Sequence, residues 1–302
     1  MHSLIWIAAT LAVPALLQEK GMSATAEVTN SAVAADSLTV KSKDGAEISY
    51  DKTGTGPVLI VIAGASNFRT TSPTFAELAR TLSDQFTVIN YDRRGRGKSG
   101  DVQPYAVQKE IDDIAALIEA NGGRASLLGF SSGAILAIEA AVAGLPVDKV
   151  IAYEPPFVVE GSGRDPNRGH LVPRLEAALA KGDRREVMRI FFIESVGLPQ
   201  EQFEGMMNSS AGKGIEAIAH TLIYDSKIAD AAYPNQKWPE RFRSNKVPIL
   251  LLDGDKTIPM IPVGVNALSK VLANSSQKTL PGQDHAPKTE AIAPAIREFL
   301  RR

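Results

Sequence analysis

The 302-residue chain contains no cysteine, only four histidines and almost no net charge. Without cysteine it can form no disulfide, no thiolate metal site and no cysteine nucleophile. Its 33 Lys and Arg residues balance 34 Asp and Glu residues, which leaves a net charge of -1. Such a chain lacks the excess of basic residues that binds nucleic acids or anionic membranes, so we expect neither as a partner. A small, roughly neutral molecule fits this composition better.

A long hydrophobic run is also missing. The apolar stretch from Leu4 to Leu17 is shorter than the roughly 20 residues that a stable membrane span requires. It also makes an imperfect signal peptide, because no Lys or Arg precedes it and the cleavage-like Ala32-Val33-Ala34 lies far downstream. We therefore predict a cytoplasmic protein with residues 1–36 as an N-terminal tail. Export through a signal segment in the same residues is the alternative.

Strand-like and helix-like stretches alternate along most of the remaining chain. Continuous apolar segments are typical of strands that are buried on both faces, and helical patterns separate them: VLIVIAG, FTVINYD, ASLLGF, VDKVIAYE and VPILLLDG. This alternation predicts an α/β protein with a mostly parallel sheet and helices on both faces. Between residues 155 and 245 only helical patterns remain. We expect a helical insertion there, which divides the core into a first part at 37–154 and a second part at 246–302.

One short stretch, GFSSG at residues 129–133, follows an apolar strand and precedes an alanine-rich helix. It matches G-x-S-x-G, in which a strained strand-to-helix turn exposes the central serine. Ser131 has a glycine two places away on each side, whereas Ser132 has Phe130 and Ala134, so Ser131 is the better candidate nucleophile. The amide of Ser132, at the start of the helix, could bind an oxyanion. A simple packing turn would give the same pentapeptide, so the assignment depends on a base elsewhere.

The four histidines are the candidates for that base. His2 lies in the tail, and His170 and His220 lie in the helical insertion. His285 lies between the last short strand and the last helix, in LPGQDHAPK. A loop at the end of a strand can present an imidazole to the end of a neighbouring strand. We therefore identify His285 as the candidate base.

With these features, and with the stretch YDRRGRGKSG at 91–100, the sequence resembles the α/β-hydrolase family over residues 36–302. The resemblance implies the α/β-hydrolase fold, with Ser131 as nucleophile, His285 as base and a helical cap at 155–245. Catalysis would then take place in the groove between the cap and the sheet. The resemblance also implies an oxyanion hole.

Two backbone amides are the predicted donors of that oxyanion hole. One is the amide of Ser132. The other comes from the loop after VLIVIAG, where many family members have His-Gly and this chain has Ala63-Gly64-Ala65-Ser66. Ala65 is the predicted donor in this loop. The missing histidine costs little, because both donors belong to the backbone.

A rival motif overlaps the stretch at 91–100. Residues 95–100 match G-x-G-x-x-G, and their end imitates a P-loop. The P-loop fails because it needs a glycine where Asp92 stands. A dinucleotide site also needs a helix directly after the glycines, whereas Pro104 is the more natural helix start. The resemblance instead treats the segment as a structural turn in which Asp92 and Arg93 hold loops in place.

The acid of the catalytic triad is not at its usual position. The family commonly has an aspartate three residues beyond a glycine after the strand that follows the cap, and this chain has Thr257 there. Asp253, Asp255 and Glu154 are the alternatives. Glu154 ends an apolar strand and precedes two prolines, and a buried carboxylate is costly without a partner. Because an acid at this earlier strand end is a known variant in the family, we predict Glu154, with Asp255 as the alternative acid.

These residues predict a serine hydrolase that cleaves a small, apolar ester, lactone or thioester and needs no metal or organic cofactor. A carbon-carbon bond hydrolase, a perhydrolase or a receptor-like binding protein with little turnover are the alternatives on the same fold. The sequence leaves the oligomeric state and the natural substrate open. Six large apolar residues are predicted to contribute to the lining or the core of the cap: Met188, Phe191, Phe192, Phe203, Met206 and Met207.

Overall fold

A computed structural model describes residues 37–163, 171–233 and 237–302. In these residues one sheet contains eight strands in the spatial order β1-β2-β4-β3-β5-β6-β7-β8. The strands are β1 (Leu38–Lys41), β2 (Glu47–Thr53), β3 (Val58–Ile62), β4 (Thr87–Tyr91), β5 (Ala125–Phe130), β6 (Val147–Tyr153), β7 (Ile249–Gly254) and β8 (Ser275–Leu280). The strands from β4 through β8 in this order run parallel, whereas β1 and β2 are antiparallel to their neighbours.

Helices cover both faces of the sheet. In the two core segments these are α1 (Pro73–Leu82), α2 (Val107–Ala120), α3 (Ser132–Val142), α10 (Met260–Ser269) and α11 (Thr289–Arg301). Alternate residues of each strand point to opposite faces. Thus Ile60 and Leu127 pack with α2, α3 and α10, while Leu59 and Leu128 pack with α1 and α11. The predicted α/β architecture, with a mostly parallel sheet between two helical layers, is confirmed.

The helical insertion follows β6 and precedes β7. It contains α4 (Leu171–Ala180), α5 (Arg184–Arg189), a π-helical turn at Ile190–Val196, α6 (Gln200–Met207), α7 (Ser210–Ala217), α8 (Thr221–Ala232) and α9 (Glu240–Arg243). Its described residues form an apolar core of their own, and this core includes all six large residues predicted for the cap. Helix α8 also packs on α3 of the main core.

The predictions for the N-terminal tail concern residues 1–36, which lie outside the described residues. The cellular location that rests on them therefore stays a prediction. Throughout residues 37–163, 171–233 and 237–302, every helix is too short or too polar to cross a membrane.

The parallel strands bring four loops to one edge of the sheet. Strands β3, β5, β6 and β7 are consecutive neighbours, so the segments that follow them lie side by side. These segments carry the predicted site residues Ala65, Ser131, Glu154 and Asp255. In open parallel sheets, ligands bind beyond the carboxyl ends of the strands. The fold therefore assembles a candidate site at this edge.

Candidate active site

Ser131 lies at the sharp turn between β5 and α3. Its backbone has φ 53° and ψ -123°, a conformation that non-glycine residues seldom adopt. The turn is held by the amide of Ser131, which donates to the carbonyl of Tyr153 on β6 at 2.9 Å. The side chain is partly exposed. This strained, accessible serine has the geometry that the G-x-S-x-G pattern predicts.

The two glycines of that pattern allow the close approach of three backbone segments. A Cβ atom at Gly129 would lie 2.2 Å from the carbonyl oxygen of Gly133. A Cβ atom at Gly133 would lie 2.3 Å from the carbonyl oxygen of Ile62, at the end of β3. Any larger residue at either position would displace the start of α3 from the sheet. The glycines thus bring the helix start against the loop that follows β3.

His285 and Glu154 are joined by a short hydrogen bond. Nδ1 of His285 lies 2.6 Å from Oε2 of Glu154. Glu154 is fully buried at the end of β6, whereas the His285 side chain is 38% exposed. A buried carboxylate on Nδ1 leaves Nε2 as the imidazole nitrogen available to a substrate or a nucleophile.

The carboxylate of Glu154 has further partners from the segment around β7. The amide of Gly254 donates to Oε1 at 2.9 Å, and the hydroxyl of Thr257 donates to Oε2 at 2.7 Å. Like Ser131, Glu154 has a left-handed backbone, with φ 50°. Its amide donates to the carbonyl of Leu252 at 2.8 Å. The strained backbone is thus held by the neighbouring strand and directs the carboxylate to His285.

The other two candidate acids lie apart from the imidazole. Asp255 is exposed, and its Oδ1 accepts a hydrogen bond from the amide of Gly282 at 2.7 Å. Asp253 is buried within β7, and burial raises its pKa. Of the three carboxylates that the sequence offered, the structure brings Glu154 to His285.

The two amides predicted as oxyanion donors lie in segments beside Ser131. Ser132 is the first residue of α3, where an amide has no acceptor within the helix. For Ala65, the hydrogen bonds of the described residues include no acceptor for the amide. The two segments are adjacent, because a Cβ atom at Gly64 would lie 3.0 Å from Cβ of Ser131. Both predicted donors therefore belong to backbone segments next to the serine.

The turn at 91–100 is built around a carboxylate. Asp92 accepts hydrogen bonds from the amide of Lys98 at 3.0 Å and from the amide and guanidinium of Arg69 at 2.9 and 3.0 Å. A Cβ atom at Gly97 would lie 2.3 Å from Oδ2 of Asp92. The glycine pattern thus wraps an acidic side chain, and a phosphate would be repelled there. This geometry supports the structural reading of the turn over the nucleotide-binding one.

Three arginines of the same turn are buried in ion pairs. Arg94 pairs with Asp113 on α2, and Arg93 pairs with Glu110 on the same helix. Arg93 and Arg96 both pair with Asp225, which lies on α8 of the helical insertion.

Sequence reasoning missed Asp225, Arg96 and the donor role of Thr257. The available signal for the ion pairs was the three arginines within YDRRGRGKSG, because arginines that become buried in a fold need acidic partners.

A pocket of about 300 Å³ lies between the loop after β3 and the helical insertion. Ser66 and Asn67, directly after Ala65, form part of its wall together with Thr70 and Thr71. Phe192, Met206 and Ile215 of the insertion supply an apolar part of the lining. Two of the six residues predicted for the cap thus contribute to this pocket as well as to the core of the insertion. No group of three or more His, Asp or Glu residues in the described chain could hold a metal ion.

Comparison with known proteins defines the family. The profile of the Alpha/beta hydrolase family matches residues 58–290, and the chain therefore belongs to this family. The crystal structure of an alpha/beta hydrolase from Sphaerobacter thermophilus DSM 20745 is 39% identical, with a TM-score of 0.78. That alignment covers 87% of this chain and 100% of the other.

Curated relatives match over shorter segments. The uncharacterized hydrolase YraK of Bacillus subtilis is 30% identical over 99 residues, which are 32% of this chain and 35% of that protein. The 2-(acetamidomethylene)succinate hydrolase of Mesorhizobium japonicum is 38% identical over 90 residues, which are 29% of this chain and 31% of that enzyme. The matched segments thus span about a third of the length of these relatives. Together with the family assignment, they identify the chain as an alpha/beta hydrolase.

Proposed function

We propose that the protein is a serine hydrolase that cleaves an ester, lactone or thioester through an acyl-enzyme intermediate. The observation that carries this proposal is the 2.6 Å contact between His285 Nδ1 and the buried carboxylate of Glu154, at the sheet edge that also presents Ser131. A serine in a strained turn, an imidazole and a buried acid are the parts that nucleophilic acyl transfer needs.

In the proposed acylation step, Oγ of Ser131 attacks the carbonyl carbon while Nε2 of His285 accepts the hydroxyl proton. The charge on the carbonyl oxygen is stabilised by the amides of Ala65 and Ser132. His285 then gives the proton to the leaving alcohol or thiol, and the acyl group remains on Ser131. Glu154 stabilises the imidazolium that exists between these transfers.

Deacylation repeats the sequence with water in place of the alcohol. His285 accepts a proton from water, the resulting hydroxide attacks the acyl carbon, and the proton returns to Oγ of Ser131 as the acid leaves. The residues suffice for this cycle, so the proposal includes no metal and no organic cofactor.

We further propose that residues 155–245 act as the cap and that the pocket beside Ser66 and Asn67 receives part of the substrate. Its volume of about 300 Å³ fits a small molecule, and its lining combines apolar side chains with hydroxyls and an amide. This lining supports a compact ester-like substrate with an apolar portion.

The test is turnover and covalent labelling of the purified full-length protein. We expect hydrolysis of short p-nitrophenyl esters and labelling by a fluorophosphonate, with the modified peptide carrying the label on Ser131. Ser131→Ala should abolish both with no loss of secondary structure. Ser132→Ala should still be labelled, because the hydroxyl of Ser132 is not the proposed nucleophile. Ser276→Ala, on exposed β8, is the matched control serine.

Three results would contradict the proposal. Labelling that survives Ser131→Ala but disappears in Ser132→Ala would move the nucleophile by one residue. Saturable binding of esters without release of alcohol, at any chain length from acetate to octanoate, would favour a receptor-like protein. Release of a ketone from a vinylogous diketone in preference to ester cleavage would favour the carbon-carbon hydrolase.

A further inference from the structure

A buried ion-pair network joins the helical insertion to the core beneath the candidate oxyanion hole. Asp225 on α8 accepts from Nη2 of Arg96 at 2.6 Å and from Nη1 of Arg93 at 2.8 Å. All three side chains are buried. Burial by itself would raise the pKa of Asp225, but the charges of Arg96 and Arg93 outweigh it and lower this pKa. The carboxylate is therefore ionised at neutral pH.

The same carboxylate contacts one arm of the oxyanion hole directly. Oγ of Ser132 donates a hydrogen bond to Oδ1 of Asp225 at 2.7 Å. This bond fixes the side chain of the residue whose amide is the first proposed donor. It lies at the start of α3, where a small tilt of the helix would redirect that amide.

The other arm is reached through Arg96. Nη1 of Arg96 donates to the carbonyl oxygen of Gly64 at 2.7 Å, while Nη2 of the same guanidinium binds Asp225. The C=O of Gly64 and the N–H of Ala65 belong to one planar peptide unit and point in opposite directions. Whatever orients the carbonyl therefore orients the amide of the second proposed donor.

We infer that Asp225 and Arg96 are positioning residues that hold the two amides of the oxyanion hole in a fixed mutual geometry. The inference rests on the proposed function. A charge-assisted bond to the Gly64 carbonyl polarises the peptide and strengthens the Ala65 N–H as a donor. Asp225 belongs to the helical insertion. The insertion therefore contributes to catalysis by orienting the amides of Ala65 and Ser132, without contacting the reacting atoms.

The experiment compares Asp225→Asn and Arg96→Lys with the control Asp113→Asn, each in the full-length protein and assayed on one p-nitrophenyl ester. Asp113 is an equally buried carboxylate that pairs with Arg94 in the same turn, but the pair contacts α2 and the segment of Asp44 rather than the oxyanion loops. Loss of a complete oxyanion donor costs about 10²–10³ in kcat. For misdirected donors we expect kcat to fall by about 10- to 100-fold, with KM within about twofold of wild type.

The direction of the change in kcat distinguishes a positioning role of Asp225 from a purely electrostatic effect of its charge. Asp225→Asn removes a negative charge near the oxyanion, which by itself would favour the transition state and raise kcat. A fall in kcat would therefore indicate that the amides of Ala65 and Ser132 have lost their orientation. As a second readout, the inhibition constant of a trifluoromethyl ketone should rise in proportion to the loss in kcat/KM across the variants. A merely structural role would not produce this proportionality.

Wild-type protein without ester turnover would contradict the proposed function itself. Turnover in the wild type, with Asp225→Asn and Arg96→Lys no slower than Asp113→Asn or changed only in KM, would overturn this inference alone. Should Asp225→Asn unfold, Thr221→Val carries the same test, because the Thr221 hydroxyl lies 3.2 Å from Nε of Arg96. Fluorophosphonate labelling should remain on Ser131 in every variant.

Discussion

The hydroxyl of Thr257 donates a hydrogen bond to the carboxylate of Glu154 across 2.7 Å. The accepting atom, Oε2, is also the atom that faces Nδ1 of His285. Thr257 stands at the position where the family resemblance places an aspartate. The hydroxyl of Thr257 therefore binds the carboxylate of Glu154, which contacts His285 in place of the expected aspartate. The imidazole thus has an acidic partner, but this partner follows β6 rather than β7.

The first prediction concerns this relocated acid. Glu154→Gln keeps the shape of the side chain but removes the charge that stabilises the imidazolium. We expect kcat for a p-nitrophenyl ester to fall by about 10³–10⁴, as for the corresponding change in other triads. Asp255→Asn is the control, because Asp255 is exposed and binds the amide of Gly282. The opposite ranking of the two variants would place the acid after β7.

A second prediction returns the acid to its usual position. In the Glu154→Gln background, Thr257→Asp introduces a carboxylate from the side chain that already reaches the atom next to His285. We expect this double variant to recover at least tenfold in kcat over Glu154→Gln alone, on the order of 1.4 kcal/mol. Thr257→Asn in the same background is the uncharged control and should recover nothing. Equal kcat values for the two double variants would show that charge at residue 257 does not reach the imidazole.

Much of this site follows from local sequence patterns. The strained turn at Ser131 is predictable because glycines two places away are the residues that its close contacts require. The parallel strands are predictable because burial on both faces demands continuous apolar runs. The contact of Glu154 with His285 was one of three alternatives, since sequence shows which carboxylates end strands but not which one the imidazole meets.

Other features depend on contacts that no local pattern records. Asp225 and Arg96 are 129 residues apart, and each alone looks like an ordinary surface charge. The helical pattern from residue 214 to 233 continues without interruption, yet the chain breaks it into α7 and α8. Strand β1 has only four residues and is mostly exposed, so neither burial nor periodicity marks it. Tertiary packing decides these features.

A third prediction concerns acid stability. The hydrogen bond and charge of Arg94 lower the pKa of Asp44 to about 2, from its ordinary 3.8. Because the folded pKa is depressed, the ion pair stabilises the fold above about pH 4, and this contribution is lost as the pH falls towards 2. Asp44→Asn should therefore lower the free energy of unfolding in urea at pH 6, with a difference from wild type that shrinks below pH 4. An NMR titration that gives a pKa near 4 for the Asp44 carboxyl would contradict the assignment.

The last prediction separates the two roles of glycine in helices. Gly133 and Gly205 are both helical, but a Cβ atom at Gly133 would lie 2.3 and 2.6 Å from the carbonyls of Ile62 and Ala63. At Gly205, on the exposed face of α6, no heavy atom of the described chain lies within 4 Å of that position, apart from the neighbouring residues and the backbone of the same helix. Gly205→Ala should raise the free energy of unfolding by about 0.5–1 kcal/mol, because alanine loses less backbone entropy in a helix. Gly133→Ala should lower it by about 1–3 kcal/mol, because backbone atoms must move apart.

Since the displaced atoms of Ile62 and Ala63 precede the Ala65 amide, Gly133→Ala should also lower kcat. Both quantities are measured on the same variants, by ester hydrolysis and by urea unfolding. An unchanged unfolding midpoint in Gly133→Ala would show that α3 can retreat from β3 without cost.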